Sequence, residues 1–98
     1  AFLVCHGSEL LRYGKQVHGA HVRRAGTLGE PGDGLWSDSR GEPLLVFTAD
    51  CLPVALARQN GSPALAVLHA GRLGLLEGIV EAGVAALGGN HLAAAVGP

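Results

Sequence analysis

Ala64-Leu65-Ala66-Val67-Leu68-His69-Ala70-Gly71-Arg72-Leu73-Gly74 is the stretch that decides how this chain folds. Ala64 to Leu68 is apolar at every position. A strand with no polar face is covered on both sides and central in its sheet. Before it, Gln59-Asn60-Gly61-Ser62-Pro63 is a hairpin-type turn. After it, Gly74 to Leu87 reads as one helix. Leu76, Ile79, Val80, Gly83, Val84 and Leu87 recur at three- and four-residue spacing, with Glu77 and Glu81 off that stripe. Gly88-Gly89 ends the helix, and Leu92 to Val96 returns as a strand. Strand, helix, strand in this order predicts a parallel βαβ unit. The fold class expected is α/β (or α+β): a mixed sheet with helices packed on it, part of a larger layered domain.

Working outward, Leu44 to Thr48 reads as a strand centred on Val46 and Phe47. Pro53 keeps the residue before it out of the α region, and Val54 to Ala57 continues extended. Lys15 to Arg24 alternates loosely, as a strand or strand pair does. Glu9 to Tyr13 reads as the end of a helix capped by Gly14. Gly26 to Gly34 is a loop, Gly34 to Ser37 a short apolar segment of undetermined type, and Ser39 to Pro43 a turn.

Ninety-eight residues suffice for one domain, 1–98, with one modest core. With 48% apolar and 15% charged residues, the chain is globular rather than disordered. Its net charge of −1 and lack of a basic run argue against nucleic-acid binding. No apolar stretch approaches the roughly 20 residues of a membrane span. Ala1-Phe2-Leu3-Val4 lacks the charged start of a signal peptide. Two cysteines are fewer than a disulfide-stapled secreted domain carries, so a reducing, cytoplasmic setting is expected. From the missing initiator Met and the ending at Gly97-Pro98, a partial or truncated domain is the expectation.

Three residues here bind metals by chemical type: Cys51 in Phe47-Thr48-Ala49-Asp50-Cys51-Leu52-Pro53, His69 in His69-Ala70-Gly71, and His18 in Gln16-Val17-His18-Gly19. Two imidazoles and a thiolate leave a zinc coordination position open, as in catalytic rather than structural sites. Each residue also has a plainer reading. A free Cys is most often a small buried hydrophobe. A single His after a strand is most often structural, and His18 would serve equally on a strand surface. The sequence separation of the three is not a finger spacing and by itself specifies no metal. Asp50 beside Cys51 marks a site or an element end, because charges rarely enter a core unpaired. Gly71, Arg72 and Gly74 lie where a strand meets a helix, a place suited to phosphate. Their spacing matches neither a P-loop nor a dinucleotide fingerprint. Cys5 reads as structural, and His6, His21 and His91 as surface residues.

Lys15-Gln16-Val17-His18-Gly19, Gly32-Asp33-Gly34-Leu35, Thr48-Ala49-Asp50-Cys51-Leu52-Pro53-Val54, His69-Ala70-Gly71-x-x-Gly74 and Ala95-Val96-Gly97-Pro98 occur in that order. Together they resemble the YfiH-type family, long described as multicopper polyphenol oxidases or laccase-domain proteins. Its members are now described as purine nucleoside phosphorylases with adenosine deaminase activity. The resemblance runs from Lys15 to Pro98. It implies one zinc (copper in the older description) held by His18, Cys51 and His69. It implies phosphorolysis of adenosine, inosine, guanosine and methylthioadenosine to base and pentose 1-phosphate, with hydrolytic deamination of adenosine. The chain departs from the family's His-Ala-Gly-Trp-Arg-Gly by placing Arg72 at the Trp and Leu73 at the Arg position.

Under this reading Cys51, Asp50 and Asp33 are the candidate catalytic residues, either Asp serving as the acid–base carboxylate that zinc deaminases require. Gly71, Arg72 and Gly74 are the candidate phosphate and substrate contacts. The partners are a purine nucleoside and phosphate, with a second copy of the chain as a candidate to complete the site. One alternative is a catalytically degenerate fragment that binds metal or a partner without turnover. A second is a laccase-like copper oxidase. Two His and a Cys also form a blue-copper shell, but the chain has no Met for the weak axial ligand and only five His.

Overall fold

The computed structural model describes residues 2–4, 16, 19–25, 32–39, 44–46, 48, 51–88 and 91–97. The elements are β1 (Phe2–Val4), β2 (Val22–Arg24), β3 (Gly34–Ser37), β4 (Leu44–Val46), β5 (Leu52–Arg58), β6 (Ala64–Ala70), α1 (Arg72–Glu77), α2 (Ile79–Leu87) and β7 (Leu92–Val96). Five strands form one mixed sheet in the order β2-β3-β6-β5-β7, and β1 pairs with β4 in a second sheet. Only β2 and β3 run parallel as neighbours in the five-stranded sheet. The expected helix end at 9–13, and Cys5 and His6, lie outside the described residues.

The β5–β6 hairpin is the frame of the fold. Its turn spans 59–63, with Gly61 at φ 77°, a backbone state that suits glycine. Arg58 closes this corner: its Nε donates to the Ser62 carbonyl at 2.8 Å and one Nη to the Leu87 carbonyl at 2.6 Å. The second bond caps the C-terminal end of α2, where a cation meets unpaired carbonyls. The strand–helix–strand crossover is present, with a difference from expectation. β6 and β7 point the same way, but both pair antiparallel to β5, which is inserted between them.

β6 is central, and its two faces serve two layers. Ala64, Ala66, Leu68 and Ala70 join Val54, Leu56, Ile79 and Leu87 in the core beneath the helices. Val67 joins Ala25, Leu35, Leu44 and Val46 on the opposite face, which β4 covers. A strand buried on both sides admits a polar residue only with a partner, which accounts for the unbroken apolar run from Ala64 to Leu68 ahead of His69.

The helix is two helices. Gly78 sits at φ 94°, ψ 38°, ending α1 and starting α2. The expected stripe therefore holds only in α2, where Ile79, Gly83 and Leu87 are buried. Leu76 is 76% exposed, because the break turns α1 so that Gly74 is its only buried residue, and within α2 Val84 departs from the expected stripe at 40% exposed. In the left-handed region an L side chain costs about 1–2 kcal/mol. Gly78→Ala is thus expected to lower the urea unfolding free energy by about 1 kcal/mol. An unchanged midpoint would show that Gly78 does not hold the break. Among the described residues no helix is long and apolar enough to cross a membrane.

Candidate functional site

The hairpin register builds the site. Leu52 pairs with Ala70 and Pro53 with His69, so the start of β5 lies beside the end of β6. Cys51 immediately precedes β5 and so opens a strand instead of closing the 44–48 one. Pro53 and His69 share a face of the sheet, and Cys51 lies two residues before Pro53, just outside the strand. Cys51 is a free, half-buried thiol at this corner. One turn thus sets side by side the two strand ends that carry Cys51 and His69.

His69 points away from the helices. It follows Leu65 and Val67 on the face turned toward β4, whereas Leu68 and Ala70 face the helices. Its ring is 4% exposed and its Nδ1 lies 2.6 Å from Oδ2 of Asp33, itself fully buried. Asp33 immediately precedes β3, and the backbone is pinned on both sides. Its carbonyl accepts from the His69 N–H at 2.6 Å, and its N–H donates to the His21 carbonyl at 3.1 Å. Its other carboxylate oxygen accepts from the Gly19 N–H at 3.2 Å. The flanking glycines explain how a carboxylate reaches this depth. A Cβ on Gly34 would lie 2.8 Å from side-chain atoms of Leu68 and Val22, and one on Gly32 3.1 Å from the His21 carbonyl oxygen.

Around the corner from His69, an open cleft of about 680 Å3 lies between α1 and the ends of β5 and β6. Cys51, Leu52, Gly71, Arg72, Leu75 and Leu76 line it, and Arg72 carries the charge among these. Leu73, at the other departure from the family motif, is 57% exposed and is not among the lining residues. The strand-to-helix phosphate position differs from expectation in two respects. α1 has six residues, so few aligned dipoles stand behind Gly71. Gly74 is a packing residue: a Cβ there would lie 2.8 Å from the Gly19 carbonyl oxygen.

Of the expected metal ligands, Cys51 and His69 are described and His18 lies outside the described residues, as does Asp50. Among the described residues there is no group of three or more His, Cys, Asp or Glu side chains that would hold a metal. The donors present nonetheless suit zinc. The His69 imidazole is backed by a carboxylate in the manner of metal-binding histidines, and the Cys51 thiol lies at the neighbouring strand end. Gly19, the chain neighbour of His18, is held by the Asp33 carboxylate and packs closely on Gly74. Sequence reading placed Asp33 among the acid–base candidates and missed that it partners His69. The available signal was an acid between two glycines at the start of a strand. His21 and His91 are exposed, as expected.

The family model described as multi-copper polyphenol oxidoreductase laccase matches residues 3–98. A purine nucleoside phosphorylase of Xylella fastidiosa is 42% identical over 81 residues, covering 74% of this chain and 31% of that protein. The purine nucleoside phosphorylase YfiH of Escherichia coli is 36% identical over 91 residues, covering 86% of this chain and 36% of its own length. The crystal structure of a Neisseria meningitidis protein of the DUF152 family superposes with a TM-score of 0.80 at 33% identity, over 90% of this chain and 38% of that one. The chain thus spans about a third of the length of the curated relatives it matches. Motif order, the mixed sheet and these matches agree, and the chain belongs to the YfiH-type, laccase-described family.

Proposed function

We propose that this chain carries the zinc site and part of the nucleoside cleft of a cytoplasmic purine nucleoside phosphorylase. The observation that carries the reading is the corner where Cys51, Arg72 and the leucine wall meet, with His69 and Asp33 behind the same strand end. Names borne by relatives support the same reaction class.

In phosphorolysis a phosphate oxygen bonds to C1′ of the pentose while the bond from C1′ to the purine nitrogen breaks. The bonding pair leaves with the base, which takes a proton from solvent. The work left to the protein is positioning and charge. Arg72 supplies a guanidinium that matches phosphate in a forked geometry. It stands in for the arginine that the family pattern places at 73. Leu52, Leu75 and Leu76 offer an apolar surface to the purine and keep water from it. His18, Cys51 and His69 are the proposed zinc ligands. Zinc, when bound, supplies the Lewis acidity that makes water nucleophilic near neutral pH, which deamination at purine C6 requires. Asp50 is the proposed acid–base carboxylate for that reaction, and adenosine, inosine, guanosine and methylthioadenosine are the proposed substrates.

The test is metal content of the purified chain, followed by a coupled assay of purine release from adenosine with and without phosphate. About one zinc per chain, lost in Cys51→Ala, with phosphate-dependent adenine release, is the expected result. Zinc without turnover would overturn the enzyme reading and leave a metal-binding relative. No stoichiometric zinc would overturn the centre. Arg72→Ala is expected to raise the KM for phosphate by roughly tenfold or more, the loss of one charge-assisted contact. A KM that does not move would remove Arg72 from the phosphate site.

A further inference from the structure

We propose that Asp33 is the positioning residue of this centre: one buried carboxylate fixes the His69 ring through Nδ1 and anchors the backbone beside His18 through Gly19. The inference rests on the metal reading above and assigns a function to a residue that reading does not use.

The geometry argues against a direct acid–base role. Asp33 is fully buried, and its two carboxylate oxygens accept from His69 and from Gly19. It is not among the residues lining the cleft. Its carboxylate acts on the groups it holds, the His69 ring and the Gly19 backbone. Burying a carboxylate costs several kcal/mol unless charge-assisted hydrogen bonds offset it. Two of the bonds that offset it come from Gly19, the chain neighbour of the proposed ligand His18, and from the proposed ligand His69. The backbone adds rigidity, because the His69 N–H to Asp33 carbonyl bond at 2.6 Å ties the same two residues again. The carboxylate therefore has little freedom, and neither has the ring it holds.

The chemical consequence concerns the proton on the imidazole. A carboxylate accepting from Nδ1 keeps the proton there and places the lone pair on Nε2, the nitrogen through which His69 would bind zinc. It also orients the ring and raises its basicity as a ligand, an effect typically worth about 10–100-fold in metal affinity.

Asp33→Asn tests this, since it keeps the size and removes one acceptor. In the metal-free wild type, ring 15N shifts are expected to show His69 in the single tautomer with the proton on Nδ1. In Asp33→Asn a mixture of tautomers is expected, with zinc affinity about 10–100-fold weaker by chelator competition. Retention of the wild-type tautomer, or of the wild-type affinity, would overturn the proposal. If Asp33→Asn does not fold, the wild-type spectrum decides alone: a ring protonated on Nε2 overturns the proposal, and a hydrogen-bonded Nδ1–H supports it. Failure of the metal reading is distinguishable. A wild type that binds no zinc while His69 shows the expected tautomers loses the metal centre and keeps Asp33 as the positioner of His69.

Discussion

Truncating Leu68 to alanine is expected to cost about 3–5 kcal/mol, the upper part of the range for buried leucines. Leu68 is fully buried near the middle of β6. What surrounds it decides the size of the effect. Its two methyl groups lie against Gly34 and Gly83: a Cβ on either glycine would come within 2.8 and 2.9 Å of them. A cavity is shallow when neighbours swing in to fill it, and glycines have nothing to swing. The void therefore persists and the loss stays near its maximum. A chain of this size has about 5–15 kcal/mol of stability in all. Urea unfolding followed by circular dichroism is the measurement. Gly83→Ala crowds Leu68 on its own but is expected to restore part of the loss in the Leu68→Ala background. A double-mutant cycle reads this coupling directly. Independent, additive losses would show that Leu68 does not fill the space above Gly83.

Replacing His69 with alanine is expected to remove zinc and also to destabilise the metal-free protein by about 3 kcal/mol. The second effect comes from Asp33. Its carboxylate is fully buried, and removing the ring takes away a partner 2.6 Å from one oxygen. A buried charge that loses one of its partners costs more than a missing apolar contact. Cys51 has no such dependent. It is half-buried at the mouth of the cleft, so Cys51→Ala is expected to lose zinc with a much smaller change in stability. Unfolding of both variants without metal separates the roles. Equal losses would show that the buried pair contributes no more than an ordinary contact. Removing Asp33 and His69 together is expected to recover part of the His69→Ala loss, because no buried carboxylate is then left behind.

The two faces of the site differed in how well they could be read. The proximity of Cys51 and His69 was legible in principle from the hairpin. With the turn at 59–63, Arg58 faces Ala64, and counting back five residues on each strand reaches Pro53 and His69. The Asp33–His69 pair was not legible in this way. It spans 36 residues and three strands, and no local pattern reports which strand will lie beside β6. The same limit applies to Gly78. A glycine is tolerated within a helical repeat, so periodicity ran through it, whereas the packing of Ile79 and Leu87 against β6 sets where the second helix begins.

By itself, the sequence determined what local chemistry controls. The apolar run from Ala64 to Leu68, the turn at 59–63, the helix stop at Gly88 and the ordered family motifs all depend on neighbours a few residues away. Only the tertiary structure decided that β5 lies between β6 and β7, that α1 turns away at Gly78, and that His69 faces away from the helices toward a buried Asp33. Each of these depends on contacts between segments far apart in the chain, whose energies come from burial and register and leave no period in the sequence.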